Sequence, residues 1–518
     1  MPIDHFGGAK GTFKNRYWVN ASYYEPGGPV FLFDSGEQNA EPLLPYYLQE
    51  YHGLSATMRL AKRYKGVAIL WEHRFYGDSL PFPVDCMLTK PDLQDNTTAD
   101  QWKFLTTEQA LEDVVYFADR FTLPVRALSH EAAANLSAAS LHPSTTPWVW
   151  IGGSYPGIRG ALMRVRNPST IFATWASSAP VQAQVDMASY YKAAERSLTR
   201  NCSADWVAVT KHVDETLANG TESEQISLKQ RLLSARASSP TKNVTVSRSV
   251  AANASDVSAA GVLMDPLSFY QYYGFNATLL PFCNILETRN YTADALESGL
   301  AAAHGIDVAL DAFLTGLVQI NYDEISGGSD DPVTDRSWMW QYCSEYGYYQ
   351  RGDPNNPLSI ETSFRSLERF QQQCNETFDS GLPPSPQVGH VNKYGGWHMN
   401  PPNVLFTNGE FDPWRTMGLA SIEENAPHRQ PSVAIPRCNE APPYPSFFGL
   451  THANMVHVSD LRVLLTPDSN HTDFQTVGFY SPIAQEPFYS GLALFELALD
   501  EWLPCFGRKS AAQQVLAP

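Results

Sequence analysis

WVWIGGSYPGIRGAL, residues 148–162, decides how the chain is read. Strand-forming apolar residues run into two glycines, a serine, a tyrosine and a proline, and a helix-like segment follows at once. An alkoxide nucleophile must project from the backbone and stay reachable. A strand-to-helix corner lifts it above the sheet edge and aims the helix N-terminus at the reaction centre, where N–H groups meet developing negative charge. Gly152 stands two before Ser154, as the elbow pattern G-x-S-x-G requires. Position 156 departs from that pattern: it is Pro156, with Gly157 one later. Proline is acceptable in a first helical turn, where its missing N–H costs nothing. A Gly-Gly-Ser corner also serves as a plain structural turn, so the rest of a catalytic constellation must decide.

Around this corner the first 180 residues alternate strand and helix. RYWVNASYY, GGPVFLFDSGE, GVAILWEHRF, PWVWIGG and FATWASSAPV read as strands; LSATMRLAKRY and GIRGALMRVRNP read as helices. TTEQALEDVVYFADRF reads as a capped helix opened by Thr107. Such alternation with continuous apolar strands implies a parallel sheet covered on both faces. From 181 to 395 the pattern turns helical, as in ASYYKAAERSLTR and AVTKHVDETLAN, with a Ser/Ala/Asn-rich patch over 234–261 that reads as mobile surface. PNVLFTNGEFDPW resumes the sheet, PSVAIP offers a further strand, and LALFELALDEWLPCF closes as a helix. The expected architecture is an α/β-hydrolase core over 1–180 and 396–518, with a helical cap inserted over 181–395.

In that fold the order is serine, acid, histidine. VLFTNGEFDPW supplies Glu410 and Asp412; Asp412 is the better placed, beyond the Asn408-Gly409 turn. His428, His452, His457 and His471 follow; His471 lies within an N-x-T sequon, and spacing separates His452 from His457 poorly.

The chain has 518 residues, 43% hydrophobic and 17% charged, a globular composition. Its net charge of −18 disfavours nucleic acid, whose phosphates it would repel. No apolar run approaches the roughly 20 residues of a membrane span. Eleven N-x-S/T sequons (Asn20, Asn96, Asn135, Asn201, Asn219, Asn243, Asn253, Asn276, Asn290, Asn375 and Asn470) imply a surface made in the secretory pathway. Seven cysteines with no C-x-x-C pair then read as disulfides with one left over. The expected location is extracellular, or the lysosome or vacuole. MPIDHFGGAKGTF has neither the basic nor the apolar region of a signal peptide, so the chain reads as a mature or truncated form. No metal-ligand spacing, phosphate loop or dinucleotide fingerprint appears; no metal and no cofactor are expected.

Taken together, IDHF, TFKNRYWVN, GGPVFLF, EHRFYGDSLPF, LTTEQALED, WIGGSYPG, ASSAPV, WMWQYCSEYGYYQ, NGEFDPW and VHVSDL resemble, in order and almost end to end, the serine peptidase family of lysosomal Pro-X carboxypeptidase, dipeptidyl peptidase II and the fungal acid prolyl endopeptidases. Val458 departs from the family's H-C-x-D-L. The resemblance implies Ser154 as nucleophile, Asp412 as triad acid and His457 as general base, with a helical insertion over the site. It implies cleavage after proline, and also after alanine. The Tyr155 N–H is one expected oxyanion donor. A second is expected from the loop around Gly36 and Glu37, or from the EHRFYG turn. Trp414 corresponds to a family pocket position, and Ile158, Tyr346 and Tyr348 are candidate walls, since proline wants a small aromatic slot. Glu37, Glu72, Glu345 and Arg74 are candidates for holding a peptide terminus. The resemblance pairs Cys343 with Cys374 and Cys202 with Cys283; Cys438 with Cys505 would tie the C-terminus, leaving Cys86 odd. Peptides or proteins are the expected partners, to a monomer or homodimer, with exo- and endo-cleavage undecided. An esterase or lipase using the same triad is the rival reading.

Overall fold

The computed structural model describes residues 1–49, 55–84, 99–123, 141–320, 331–378, 381–461 and 482–507. Cys86, Asn96, Asn135, Asn470 and His471 lie outside them. The strands are β1 (Tyr17–Asn20), β2 (Val30–Asp34), β3 (Val67–Trp71), β4 (Trp148–Gly153), β5 (Ala173–Ser177), β6 (Gln184–Asp186), β7 (Gly347–Tyr349), β8 (Val404–Gly409), β9 (Gln430–Ser432) and β10 (Ser446–His452). Eight form one sheet in the order β1-β3-β2-β4-β5-β8-β10-β9. Every neighbouring pair is parallel except β1 with β3.

Strand alternation sorts the core onto two faces. Leu32, Ile69, Trp148 and Trp150 face the helices Thr107–Arg120 and Tyr155–Arg166, with Leu111, Val114 and Leu162. Phe31, Phe33, Leu70, Val149 and Ile151 face Ala56–Tyr64 and the last helix, with Met58, Leu60, Phe495 and Trp502. Both faces are covered, so the strands read as unbroken apolar runs rather than alternating ones. This is the α/β-hydrolase fold.

Between β6 and β8 the chain is mainly helical. Arg200–Asn219, Leu280–Glu287 and Ile306–Ile320 meet around Trp206, Phe282 and Phe313, whose ring centroids lie 4.9–5.4 Å apart. Cys202 is bonded to Cys283, Cys343 to Cys374, and Cys438 to Cys505. Among the eight described sequon asparagines, Asn20 and Asn201 are half-buried and the other six exposed.

Four local readings differ from the structure. Thr106, not Thr107, caps the helix Thr107–Arg120 by accepting from the Gln109 N–H. Thr107 instead donates both its N–H and its hydroxyl to Glu345, at 2.7 Å each. The serine-rich patch carries two short helices, Arg248–Asn253 and Asp256–Ala260, capped by Ser247 and Ser255. Serines that look like linker are N-caps there. Only Gln430–Ser432 of the PSVAIP region pairs, at the sheet's edge. Sequence reading also missed the two-stranded sheet of β6 with β7, which joins segments more than 160 residues apart.

Candidate active site

β4, β5, β8 and β10 are consecutive in the sheet, and their C-terminal ends gather the candidate residues. Ser154 follows β4 with φ 62° and ψ −129°, a left-handed corner that lifts a side chain off the strand. The flanking glycines have steric reasons. A Cβ on Gly152 would lie 2.6 Å from the Pro156 carbonyl carbon, and one on Gly153 would lie 2.4 Å from Val458 Cγ1. The residue before the serine therefore packs on the residue after His457. Pro156 sits in the first helical turn, as its geometry allows. Its carbonyl accepts from Trp150 Nε1 at 2.9 Å.

Asp412 is fully buried beyond β8 and caps a short 3-10 turn. Its Oδ1 accepts from the Trp414 N–H and faces His457 Nδ1, both at 2.9 Å; its Oδ2 accepts from Asn408 Nδ2 at 3.1 Å. A carboxylate on Nδ1 fixes the proton there and leaves Nε2 as the basic nitrogen. The His457 N–H donates to the Gln271 carbonyl at 3.1 Å, and the Val458 N–H donates to Ser178 Oγ at 2.9 Å. Val458 holds φ 55°, a strained value for a β-branched residue.

The alternatives are engaged elsewhere. Glu410 accepts from the Asn454 N–H at 2.9 Å. His428 Nε2 meets the Glu423 carbonyl at 2.8 Å. His452 Nε2 faces Asp460 Oδ2 at 3.3 Å, and the other Asp460 oxygen accepts from Ser177 Oγ. That cluster ties the histidine loop to β5 and β10.

Trp414 lies beside the triad candidates, with ring centroids 6.2 Å from His457, 5.2 Å from Tyr190 and 5.1 Å from Tyr348. Its Nε1 donates to Gln271 Oε1 at 3.1 Å, and the Tyr190 hydroxyl donates to the same oxygen. Tyr348 is held by a 2.6 Å bond to the Pro180 carbonyl. Neither Gln271 nor Tyr190 stood out in the sequence: nothing local marks a polar residue whose partners lie 143 and 81 positions away. Ile158, a candidate pocket wall, is wholly buried in the same core cluster as Trp414 and Tyr348. Tyr346 is likewise buried, its hydroxyl 2.7 Å from Thr107 Oγ1.

Gly36 packs on the elbow, since a Cβ there would lie 2.3 Å from Pro156 Cγ. Its own N–H, however, donates to Asp34 Oδ1 at 3.2 Å. That proton is used inside its own turn. Tyr155 opens the helix, where first-turn N–H groups have no intrahelical partner.

The charged candidates for binding a terminus divide. Glu72 is buried and accepts from Arg16 Nε and Nη2, both at 2.8 Å. Arg74 is buried and donates to both oxygens of Asp113, at 2.5 and 2.6 Å. Glu345 is taken by Thr107 and by His390 Nδ1 at 3.3 Å. In all three the charged group already has a partner distant in sequence: an opposite charge for Glu72 and Arg74, and the Thr107 N–H and hydroxyl for Glu345. Glu37 is half-buried next to Gly36, and burial pushes its carboxyl up to about 7.

The family described as Serine carboxypeptidase S28 matches residues 1–435, a span that holds Ser154 and Asp412 and ends before His457. Serine protease vicPb of Bipolaris victoriae is 26% identical over 453 residues, covering 81% of this chain and 78% of its own. The thymus-specific serine protease of Homo sapiens is 27% identical over 457 residues, covering 83% and 79%. The "Probable extracellular serine carboxypeptidase" of Arthroderma benhamiae is 27% identical over 488 residues; it covers 84% of this chain, which spans only 61% of that protein.

Proposed function

This chain belongs to the serine carboxypeptidase S28 family, and we propose that it cleaves peptide bonds on the carboxyl side of proline with Ser154, His457 and Asp412 as its triad. It is a serine-type peptidase; the finer reading rests on one observation above others. Asp412 holds His457 Nδ1 at 2.9 Å on a loop that packs against the elbow of Ser154.

His457 Nε2 takes the proton from Ser154 Oγ, which attacks the scissile carbonyl. The Tyr155 N–H, at the helix N-terminus, stabilises the oxyanion. His457 then protonates the leaving amine, and water, activated by the same nitrogen, releases the acyl group. Asp412 keeps the imidazole in the required tautomer and stabilises its cation.

The proline slot is the wall of Trp414, Tyr190 and Tyr348 beside His457. Proline is a compact apolar ring with no N–H to satisfy, and an aromatic wall without a charge suits it. Gln271 and the Pro180 carbonyl hold these aromatics by their polar tips, so the rings are oriented before substrate arrives. Three disulfides and the sequon-rich surface fit a secreted protein, with the lysosome or vacuole as the other oxidising or acidic address. No helix among the described residues is long and apolar enough to cross a membrane.

The test is a comparison at pH 4–6 of three peptides: one blocked with internal proline, one with a free amine and proline second, and one ending in Pro-X with a free carboxylate. Activity that disappears in Ser154→Ala supports the reading, and the preferred peptide names the subclass. Hydrolysis of a simple ester through Ser154, with all three peptides intact, would overturn it in favour of an esterase.

A further inference from the structure

Beneath the elbow lies a closed polar chain that the triad does not use. His73, Tyr76, Tyr155 and Gln341 are each at most 2% exposed. His73 Nδ1 is 2.6 Å from the Arg74 carbonyl, and His73 Nε2 is 3.0 Å from the Tyr155 hydroxyl. Gln341 Nε2 is 2.7 Å from that same hydroxyl, and Gln341 Oε1 is 2.5 Å from the Tyr76 hydroxyl.

The direction of every bond follows from one carbonyl. A carbonyl only accepts, so His73 Nδ1 carries the proton. The neutral ring then accepts at Nε2, and the Tyr155 hydroxyl donates to it. Having used its proton, that hydroxyl must accept from its other neighbour, which places the amide nitrogen of Gln341 there. Gln341 Oε1 is left to accept from Tyr76. A cationic His73 would donate from both nitrogens and leave the Tyr155 proton with nowhere to go. Burial and the neighbouring Arg159 charge hold the ring neutral, well below its ordinary range.

Tyr155 is also the residue whose N–H faces the oxyanion in the function proposed above. Its ring is caged by Trp338 and Tyr346, each with centroids 5.6 Å away. Gln341 ends the helix Pro332–Gln341, which is itself fixed to the core. Ser337 Oγ donates to the Phe75 carbonyl at 2.7 Å, Trp340 Nε1 to the Leu105 carbonyl at 3.2 Å, and Cys343 is bonded to Cys374. The amide thus couples a rigid post, 186 residues along the chain, to the tip of the elbow's first side chain.

We propose that Gln341 is a positioning residue for the reaction: by holding the Tyr155 hydroxyl against His73 it sets the angle of the helix N-terminus, and so aims the Tyr155 N–H at the oxyanion. This inference rests on the triad reading, and it concerns an interaction made in the transition state. Loss should therefore appear in kcat rather than KM.

The experiment is a kinetic cycle of Gln341→Leu, Tyr155→Phe and the double variant on the best of the three peptides. Each single change is expected to lower kcat about 10- to 100-fold, with KM within about threefold. The double variant should be no slower than the worse single one, because both act through one chain of bonds. A kcat within twofold of the parent overturns the proposal. So does a rise in KM at constant kcat, or losses that multiply. Should Gln341→Leu not fold, Tyr76→Phe combined with Tyr155→Phe gives the same cycle from the other end of the amide. Ser154→Ala separates the two levels. If it retains activity, the triad reading fails; if it is inactive while Gln341→Leu is unimpaired, only the positioning role fails.

Discussion

Glu361→Gln should flatten the pH dependence of stability. Glu361 is 4% exposed, with Oε1 2.9 Å from Arg365 Nε. Burial raises its carboxyl most, Arg365 opposes, Glu195 adds to the rise, and the group is pushed up to about 8 from an ordinary 4.5. A carboxyl raised in the folded state binds its proton more tightly there than in the unfolded chain. Its contribution is therefore fully present below about 4.5 and lost as pH climbs toward about 8. Between pH 4.5 and 7.5 the loss is about 4 kcal/mol, at about 1.36 kcal/mol per pH unit. Unfolding entropy of about 2.1 cal/mol/K per residue gives about 1.1 kcal/mol/K for this chain, so the loss corresponds to about 4 °C in Tm. Calorimetric scans of parent and variant at both pH values measure it: the parent should lose about 4 °C more than Glu361→Gln. Parallel Tm curves would refute the reasoning, because Glu361 would then be ionised throughout, its pairing with Arg365 outweighing burial. The cluster bears on the site, because the Arg365 charge acts on Tyr190, which packs on Trp414.

Asp412→Asn should keep KM near its parent value and lower kcat by about 10⁴-fold, since an amide no longer holds the imidazole in the right tautomer; steady-state kinetics on the proline peptide checks it. Gly153→Ala places a Cβ 2.4 Å from Val458 Cγ1. The histidine loop must move, and kcat/KM should fall about 100-fold while the thiol content of the denatured protein stays unchanged. Trp414→Ala should reduce kcat/KM for proline peptides at least about tenfold more than for a simple ester, measured side by side. Glu37→Gln should remove a fall in kcat/KM that sets in near pH 7, where the carboxyl becomes charged beside the elbow; a profile identical to the parent's would remove Glu37 from the pH response.

The sheet and the elbow were legible in the sequence because they are local. Apolar runs of five or six residues, and glycines beside a serine, carry their physical reasons within a single turn of chain. The candidate Asp412 could be picked out for the same reason, being four residues past Asn408 on one strand-loop corner. His457 and His452 were not separable by spacing, because both lie within five residues at the end of β10. What distinguishes them is which acid each meets: Asp412 for His457, and Asp460, pinned by Ser177, for His452.

The charged and amide residues follow a stricter rule. Glu72, Arg74 and Glu345 have the right chemistry for a peptide terminus, yet their partners Arg16, Asp113 and Thr107 are 56, 39 and 238 residues away. Gln341 and Gln271 lack a charge to draw attention, yet they reach Tyr155 and Trp414 across 186 and 143 residues. A buried polar side chain must be satisfied, and the identity of its partner decides its role. Where that partner is a fixed group of the core, the residue builds structure. Where it is a residue beside the proposed triad, as with these two glutamines, the same bond holds a side chain next to the candidate catalytic residues. Removing such a glutamine should therefore be felt at a distance from any atom of the substrate.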